Sequence, residues 1–259
     1  PLSSTHLGYV PQVLGVTLGR LLHLNGVQIF FLGRLFALFW YCVVMWFAFK
    51  IIPEFAKNIL FLVGSFPMTL QMVASYNYDS VLLGACFLLI AYLLYLAYDE
   101  KKENIIWKDV ILIGILLLVI VPIKFVYLPL LGIGLLIPKE KFGGIGQKII
   151  FGGGMLGVGA VAMLATKLPK MLVAAGGTSS AGNTTQTYSL AMCIKNPLRT
   201  FAVFFETIRQ NLGIYFTGMI GDRLGWVEIE VPSILIIGYV ILMILVVIQN
   251  ERMLHAWRK

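Results

Sequence analysis

The run Val81–Ala97 contains no charged residue, and it begins just after an acid, in the stretch Ser75-Tyr76-Asn77-Tyr78-Asp79-Ser80. Upstream, Ile59–Ala74 is equally free of charge. A helix needs roughly 20 predominantly apolar residues to cross the hydrocarbon core of a bilayer, and runs of this kind approach that length. An ionised carboxylate at the edge of such a layer is costly unless it faces water, a partner or a metal. Asp79 therefore constrains the chain twice. It marks where a span starts, and it requires either a partner or a use.

Composition supports the same class. The chain is 59% hydrophobic and 12% charged, with a mean hydropathy of +0.89. A soluble domain carries about a quarter charged residues. The pattern predicts an all-α fold, a polytopic transmembrane helical bundle, because a β-barrel would show weak alternation instead of solid apolar blocks. The net charge of +8 does not point to nucleic acid, since the basic residues sit in short loops between apolar runs. Cys42 and Cys86 fall inside apolar runs and Cys193 lies alone in a polar region, so no disulfide framework or metal spacing is present.

Taken in order, residues 1–259 read as a single transmembrane domain. Pro1–Gly26 has apolar residues at Tyr9, Val13, Val16 and Leu21, broadened by Leu14 and Leu18, with Gln12 and Arg20 interleaved. That spacing predicts an amphipathic helix lying on the outer membrane surface. Spans are expected at about 27–52, 57–75, 80–98, 105–137, 149–166 and 232–250. Arg34 lies in the first turns of the first span, where it can snorkel to the interface. Pro67 kinks the second. The stretch 109–137 is apolar except at Pro122-Ile123-Lys124. It is either one kinked helix or a hairpin of two half-length helices meeting at Pro122–Tyr127, with Lys124 at the vertex.

The 149–166 span is rich in glycine, and Gly153 and Gly157, four apart, predict close helix approach. Residues 167–231 are mostly too polar to span and read as an outer loop. Within it, Gly176–Gln186 is flexible, and Pro197–Gly213 is an amphipathic helix opened by Asn196-Pro197. Asn183-Thr184-Thr185 matches a glycosylation sequon by pattern alone. His6, His23 and His255 show no metal-ligand spacing. The chain starts at Pro1, and Pro1–Gly26 is neither a signal peptide nor a span, so the sequence reads as a piece of a longer protein.

Sidedness follows from the excess of Lys and Arg in short cytoplasmic loops. With the charged turn 99–108 inside, Asp79 falls outside and Lys50 and Lys57 inside. A hairpin over 109–137 then brings Lys139, Lys141 and Lys148 inside, followed by Arg252, Arg258 and Lys259. A single kinked helix would break this pattern, so the charge rule favours the hairpin. The consequence is that 1–26, Arg34, Asp79, Lys124 and 167–231 all gather on the outer face.

Each of these residues has a plain reading and a sharper one. Asp79 can cap the third span, a role worth about 1 kcal/mol, or serve as a functional carboxylate. Asn77-Tyr78-Asp79 resembles an acidic pair with one Asn, which can hold a divalent cation such as Mg or Mn through oxygen ligands, with Asp79 as the metal ligand. Lys124 can pair with Asp79 or a carbonyl, or bind an anionic head group such as a lipid phosphate. Arg34 has the same two readings.

Several short stretches occur together in one order. They are Tyr9-Val10-Pro11-Gln12 with Gly19-Arg20, Gly33-Arg34-Leu35, Phe66-Pro67-Met68-Thr69, and Ser75-x-Asn77-x-Asp79. Lys124-x-x-Tyr127-x-Pro129 and Leu224-Gly225-Trp226 follow. In that order they resemble the bacterial polytopic family catalogued as domain of unknown function twenty-one forty-two, which is grouped by similarity with the GT-C glycosyltransferases. The resemblance implies a GT-C-like fold in a bacterial plasma membrane. It also implies transfer of a sugar from a polyprenyl-phosphate carrier to a cell-envelope glycan acceptor on the outer face, with no nucleic-acid partner. An acidic catalytic motif is implied in a first outer loop, inside which this chain begins, and a Gly-Arg-Tyr motif beyond its last residue. By the same resemblance Asn77 and Asp79 match the second outer loop. Lys124 and Arg34 make a candidate carrier-phosphate site, and Tyr127 and Tyr9 join them as substrate-binding candidates. Two other functions suit the same residues: a transporter or flippase of lipid-linked sugar, and a non-catalytic membrane assembly subunit.

Overall fold

The computed structural model describes residues 6–176, 196–225 and 228–257. The 177–186 stretch, Asn183, Cys193, Trp226, Arg258, Lys259 and the side chains of Arg252 and His255 lie outside the described residues.

After a 3-10 turn at His6–Tyr9, helices α1 (Val10–Leu21) and α2 (Gly26–Ile51) form an antiparallel pair. Asn25 fixes the start of α2. Its side chain accepts from the Gln28 N–H at 2.9 Å, and its own N–H donates to the Gln28 side chain at 3.1 Å, a reciprocal cap. Glycine sets the contact between the two helices. A Cβ on Gly15 would come within 2.8 Å of the Leu32 carbonyl oxygen, and one on Gly19 within 3.0 Å of the Ile29 side chain. Backbones this close exploit the absence of side chains.

The face of α1 that packs on the bundle is its small-residue face. The buried residues of α1 are Pro11, Gln12, Gly15 and Gly19, whereas Val13, Leu14 and Leu21 stay exposed. In apolar surroundings large side chains gain little by leaving the lipid, so small residues pack instead. Helix α2 repeats the inversion. It buries Gly33, Ala37, Tyr41, Met45 and Ala48 and turns Phe31, Leu35, Phe39 and Trp46 outward.

Where the sequence suggests one kinked span over 57–75, there are two helices, α3 (Glu54–Gly64) and α4 (Pro67–Val73). Pro67 has no N–H to continue the ladder, and it holds Phe66 extended, at φ −56° and ψ 141°. The break frees carbonyls in an apolar setting, and hydroxyls satisfy them. Tyr41 donates to Gly64 O at 2.9 Å, Tyr239 to Ser65 O at 2.8 Å, and Thr69 to Val63 O at 3.1 Å.

Helix α5 (Asp79–Tyr98) is the central element, with Leu82, Leu89, Leu93 and Leu96 sealed among α2, α6 and the segment that follows. Helix α6 (Trp107–Ile123) ends as Lys124 leaves the helix, and a 3-10 segment, Phe125–Leu136, leads back. The Ile105 N–H donates to Lys141 O at 2.9 Å, and the Lys141 ammonium donates to Leu96 O and Asp99 O at the end of α5. Residues 105 and 141 thus meet at the Tyr98 end of α5, while Lys124 sits at the Asp79 end.

Helix α7 (Ile145–Gly176) packs on this hairpin with Met155, Gly159 and Ala162 buried. Gly153 and Gly157, expected at a close helix contact, are exposed, and a Cβ at either meets nothing within 4 Å. The face of α7 that packs is turned away from them. Gly159 makes the close approach instead, to the Leu128 side chain. Helix α8 (Pro197–Ile220) carries an exposed apolar row, Phe201, Phe204, Phe205 and Leu212. A short β-ribbon follows, β1 (Arg223–Leu224) with β2 (Ile229–Glu230). Helix α9 (Ser233–Trp257) runs antiparallel to α3, with Asn58 bonded to Gln249.

The architecture is an all-α membrane bundle. Gly26–Ile51, Asp79–Tyr98 and Ile145–Leu164 are long and apolar enough to cross a bilayer. The hairpin geometry predicts that cysteines introduced at the exposed Asn104 and Glu140, in a variant lacking the native cysteines, label with an impermeant thiol reagent from the same face. Labelling from opposite faces would contradict it.

Candidate functional site

At the Asp79 end, the turn between α4 and α5 is held from three sides. Asn77 starts α5 by accepting the Asp79 N–H on its side-chain oxygen at 2.8 Å, a local turn typical of Asn. Gln12, from α1, is fully buried, and its amide N–H donates to Asn77 O at 2.5 Å, with the Ser80 hydroxyl at 3.5 Å. Its amide oxygen is sealed from solvent and has no partner among the described residues. Gly8 lies so close to Tyr78 that a Cβ there would overlap that side chain. The 3-10 turn and α1 therefore clamp the loop that carries Asp79.

Lys124 enters from the vertex of the α6 hairpin. Its ammonium lies 3.1 Å from Asp79 Oδ1 and 5.2 Å from the centre of the Tyr78 ring. The Asp79 side chain is 8% exposed and that of Lys124 is 32% exposed, so the pair is buried on the acid side and open on the basic side. Among the described residues Lys124 is the ion-pair partner of Asp79, through Oδ1.

A second buried acid provides the comparison. Asp109, at the opposite end of the same helix pair, accepts from the Tyr92 hydroxyl at 2.5 Å, the Ile106 N–H at 2.8 Å and the Lys102 ammonium at 2.9 Å. Both of its oxygens are engaged, and Lys102 is 17% exposed. A carboxylate used up in this way is a structural lock. Asp79 has one ion-pair partner among the described residues, and that cation stays partly open to solvent.

Of the other candidates, Arg34 donates its Nε–H to Ala74 O at 2.7 Å, which ties α2 to the end of α4. Its guanidinium lies 5.9 Å from the ring centres of Phe30 and Phe31. The terminal N–H groups, four of the five donors on an arginine, have no partner among the described residues. Arg34 and Lys124 thus hold the two ends of the 74–79 loop. Tyr9 meets Tyr78 edge-to-face at 6.0 Å, which places it beside the Lys124 cation through a shared ring. Tyr127 follows Lys124, with its N–H donated to Lys124 O at 3.3 Å.

No group of three His, Cys, Asp or Glu side chains converges among the described residues. Asp79 Oδ1 faces an ammonium, and Asn77 spends its oxygen on the backbone.

Gln12 and Asp109 are the functional and structural polar groups that sequence reasoning missed. Gln12 sits among apolar residues whose spacing suggests an exposed polar face, and its placement in a matching motif is the only signal for it. Asp109 heads an apolar run, and nothing local marks Tyr92 as its partner.

The fold and the site define a helical membrane protein with an incompletely satisfied ion pair at one end of its bundle. The chain belongs to the family described as predicted membrane protein (DUF2142), whose model matches residues 4–258. No curated protein and no solved structure gives a significant match.

The contrast between the two acids generates a prediction. Asp109→Asn strands Lys102, and loss of one partner of a buried pair costs about 3–5 kcal/mol. Asp79→Asn leaves Lys124 able to reach water, and the expected loss is about 1 kcal/mol. Thermal unfolding of the two variants in one detergent measures the difference, and equal losses would refute it.

Proposed function

We propose that the Asp79 end of the bundle faces the outside of a bacterial plasma membrane and belongs to a GT-C-type glycosyltransferase. In this reading a sugar moves from a polyprenyl-phosphate carrier to a glycan acceptor of the cell envelope. The observation that carries the reading is the Asp79–Lys124 pair, a buried carboxylate whose cation partner stays partly open to solvent.

The chemistry assigns roles as follows. The acceptor hydroxyl attacks the anomeric carbon, the bond from that carbon to the phosphate oxygen breaks, and the carrier phosphate leaves with the electron pair. Cations at the leaving oxygen stabilise the charge that develops there. Lys124 serves this role, with Arg34 at the other end of the loop. Asp79 accepts a hydrogen bond from the acceptor and orients it. Asn77 acts on Asp79 by fixing the turn that carries it. Tyr9 and Tyr127 flank the cations as sugar- or carrier-binding surfaces. We assign the base that takes the hydroxyl proton to the acidic first-outer-loop motif that the resemblance to GT-C enzymes implies.

A second reading, transport of a lipid-linked sugar, is favoured by the interrupted helices. Both the α3–α4 break and the α6 vertex present chain ends within the bundle, a feature of transporters that bind at such breaks. The two readings separate on one measurement. Full-length protein in liposomes is incubated with candidate polyprenyl-phosphate sugars and an acceptor glycan, and released carrier phosphate is quantified. The enzyme reading expects release, reduced about a hundredfold or more by Asp79→Asn. Movement of the intact lipid-linked sugar across the bilayer without release would overturn it.

A further inference from the structure

A cavity of about 430 Å³ lies away from this site, between the 3-10 segment Phe125–Leu136 and α7. That volume is in the range of sites that hold small organic ligands. Its walls are apolar, with Leu93, Leu128, Phe151 and Met155 among them, and offer water few hydrogen-bond partners.

Glycines keep it open. Gly132, Gly134 and Gly152 line it, and a Cβ on Gly132 or Gly152 would meet nothing within 4 Å, while one on Gly134 would meet only Leu93 at 3.9 Å. Gly152 lies within helix α7, where glycine costs roughly 0.5–1 kcal/mol relative to alanine. Alanine or leucine would fit and would favour the helix, so close packing does not explain the glycine.

One charged group borders the cavity, Lys148. Its ammonium donates to Leu135 O at 2.8 Å and Ile137 O at 2.5 Å. An ammonium has three N–H donors, which leaves one without a partner among the described residues. The adjoining stretch 139–148 holds Lys139, Lys141 and Lys148 against the single acid Glu140. Lys141 is committed to the end of α5, while Lys139 is exposed. An apolar slot with a partly engaged cation at its border matches a molecule with a hydrocarbon chain and an anionic head. The family is a membrane-protein family, and in a bilayer the molecule with that chemistry is an anionic phospholipid.

We infer that this cavity is an anionic-phospholipid site, with one acyl chain in the glycine-lined slot and the head-group phosphate at Lys148. The lipid joins α7 to the hairpin at the Tyr98 end of the bundle, and it is separate from the Asp79 site in place and in chemistry.

The test uses the whole protein in nanodiscs containing a photoreactive-acyl phosphatidylglycerol, or a phosphatidylcholine with identical chains, and maps adducts by mass spectrometry. Adducts are expected at Phe151, Met155 and Leu156, at higher yield from phosphatidylglycerol. Gly152→Leu fills the slot and should cut that yield about tenfold while thermal stability holds or rises. Lys148→Gln should lower the preference for phosphatidylglycerol about fivefold, the equivalent of one lysine near an anionic surface. Adducts unchanged by Gly152→Leu, equal yields from the two lipids, or cross-links to a second copy of the chain in place of lipid would each overturn the assignment.

Discussion

A helix that stops inside apolar surroundings leaves carbonyls with no water to donate to them, and each such group left unpaired costs several kcal/mol. The arrangement of this bundle follows from meeting that requirement. At the end of α3, the freed oxygens of Val63, Gly64 and Ser65 accept from Thr69, Tyr41 and Tyr239. These donors come from α4, α2 and α9, so one break binds four helices together. At the end of α4, the carbonyl of Ala74 accepts from Arg34. At the end of α5 and of the 3-10 segment, lysines take the role, with Lys141 on Leu96 and Asp99 and Lys148 on Leu135 and Ile137. A lysine or arginine at a helix C-terminus also complements the helix dipole.

The same accounting separates the two buried acids. Asp109 has three donors for its two oxygens and is complete within the protein. Asp79 has the Lys124 ammonium as its ion-pair partner among the described residues. Lys124 is itself only partly withdrawn from solvent, so the pair gives less stability than a sealed one and leaves binding capacity on both members. The buried, unpartnered amide oxygen of Gln12 lies against the same loop.

Much of the class was legible in the apolar runs. Val81–Ala97 reads as a span because its apolar run is unbroken, and α5 is the most enclosed of the candidate spans. Asp79 and Lys124 were legible as costly charges, and their proximity needs only that both lie at the ends of spans. The face of α1 was not legible. Glycine packs against α2 while leucine and valine face outward, and Gln12, interleaved among apolar residues in the sequence, goes with the glycines. The glycines of α7 misled for a related reason. Gly153 and Gly157 have the spacing of a helix contact, yet it is Gly159 that approaches a neighbour and Gly152 that borders a cavity. Spacing along one helix does not say which face its neighbour covers.

The central claim is that the Asp79–Lys124 pair is retained for a ligand and not for the fold. It is tested most directly by measuring stability and carrier-phosphate release on the same preparations of full-length Asp79→Asn, Lys124→Met and the double variant. The account predicts that all three fold and melt close to the parent protein while none releases carrier phosphate. If both single variants unfold and the double variant recovers parental stability, the pair is structural and the claim is contradicted.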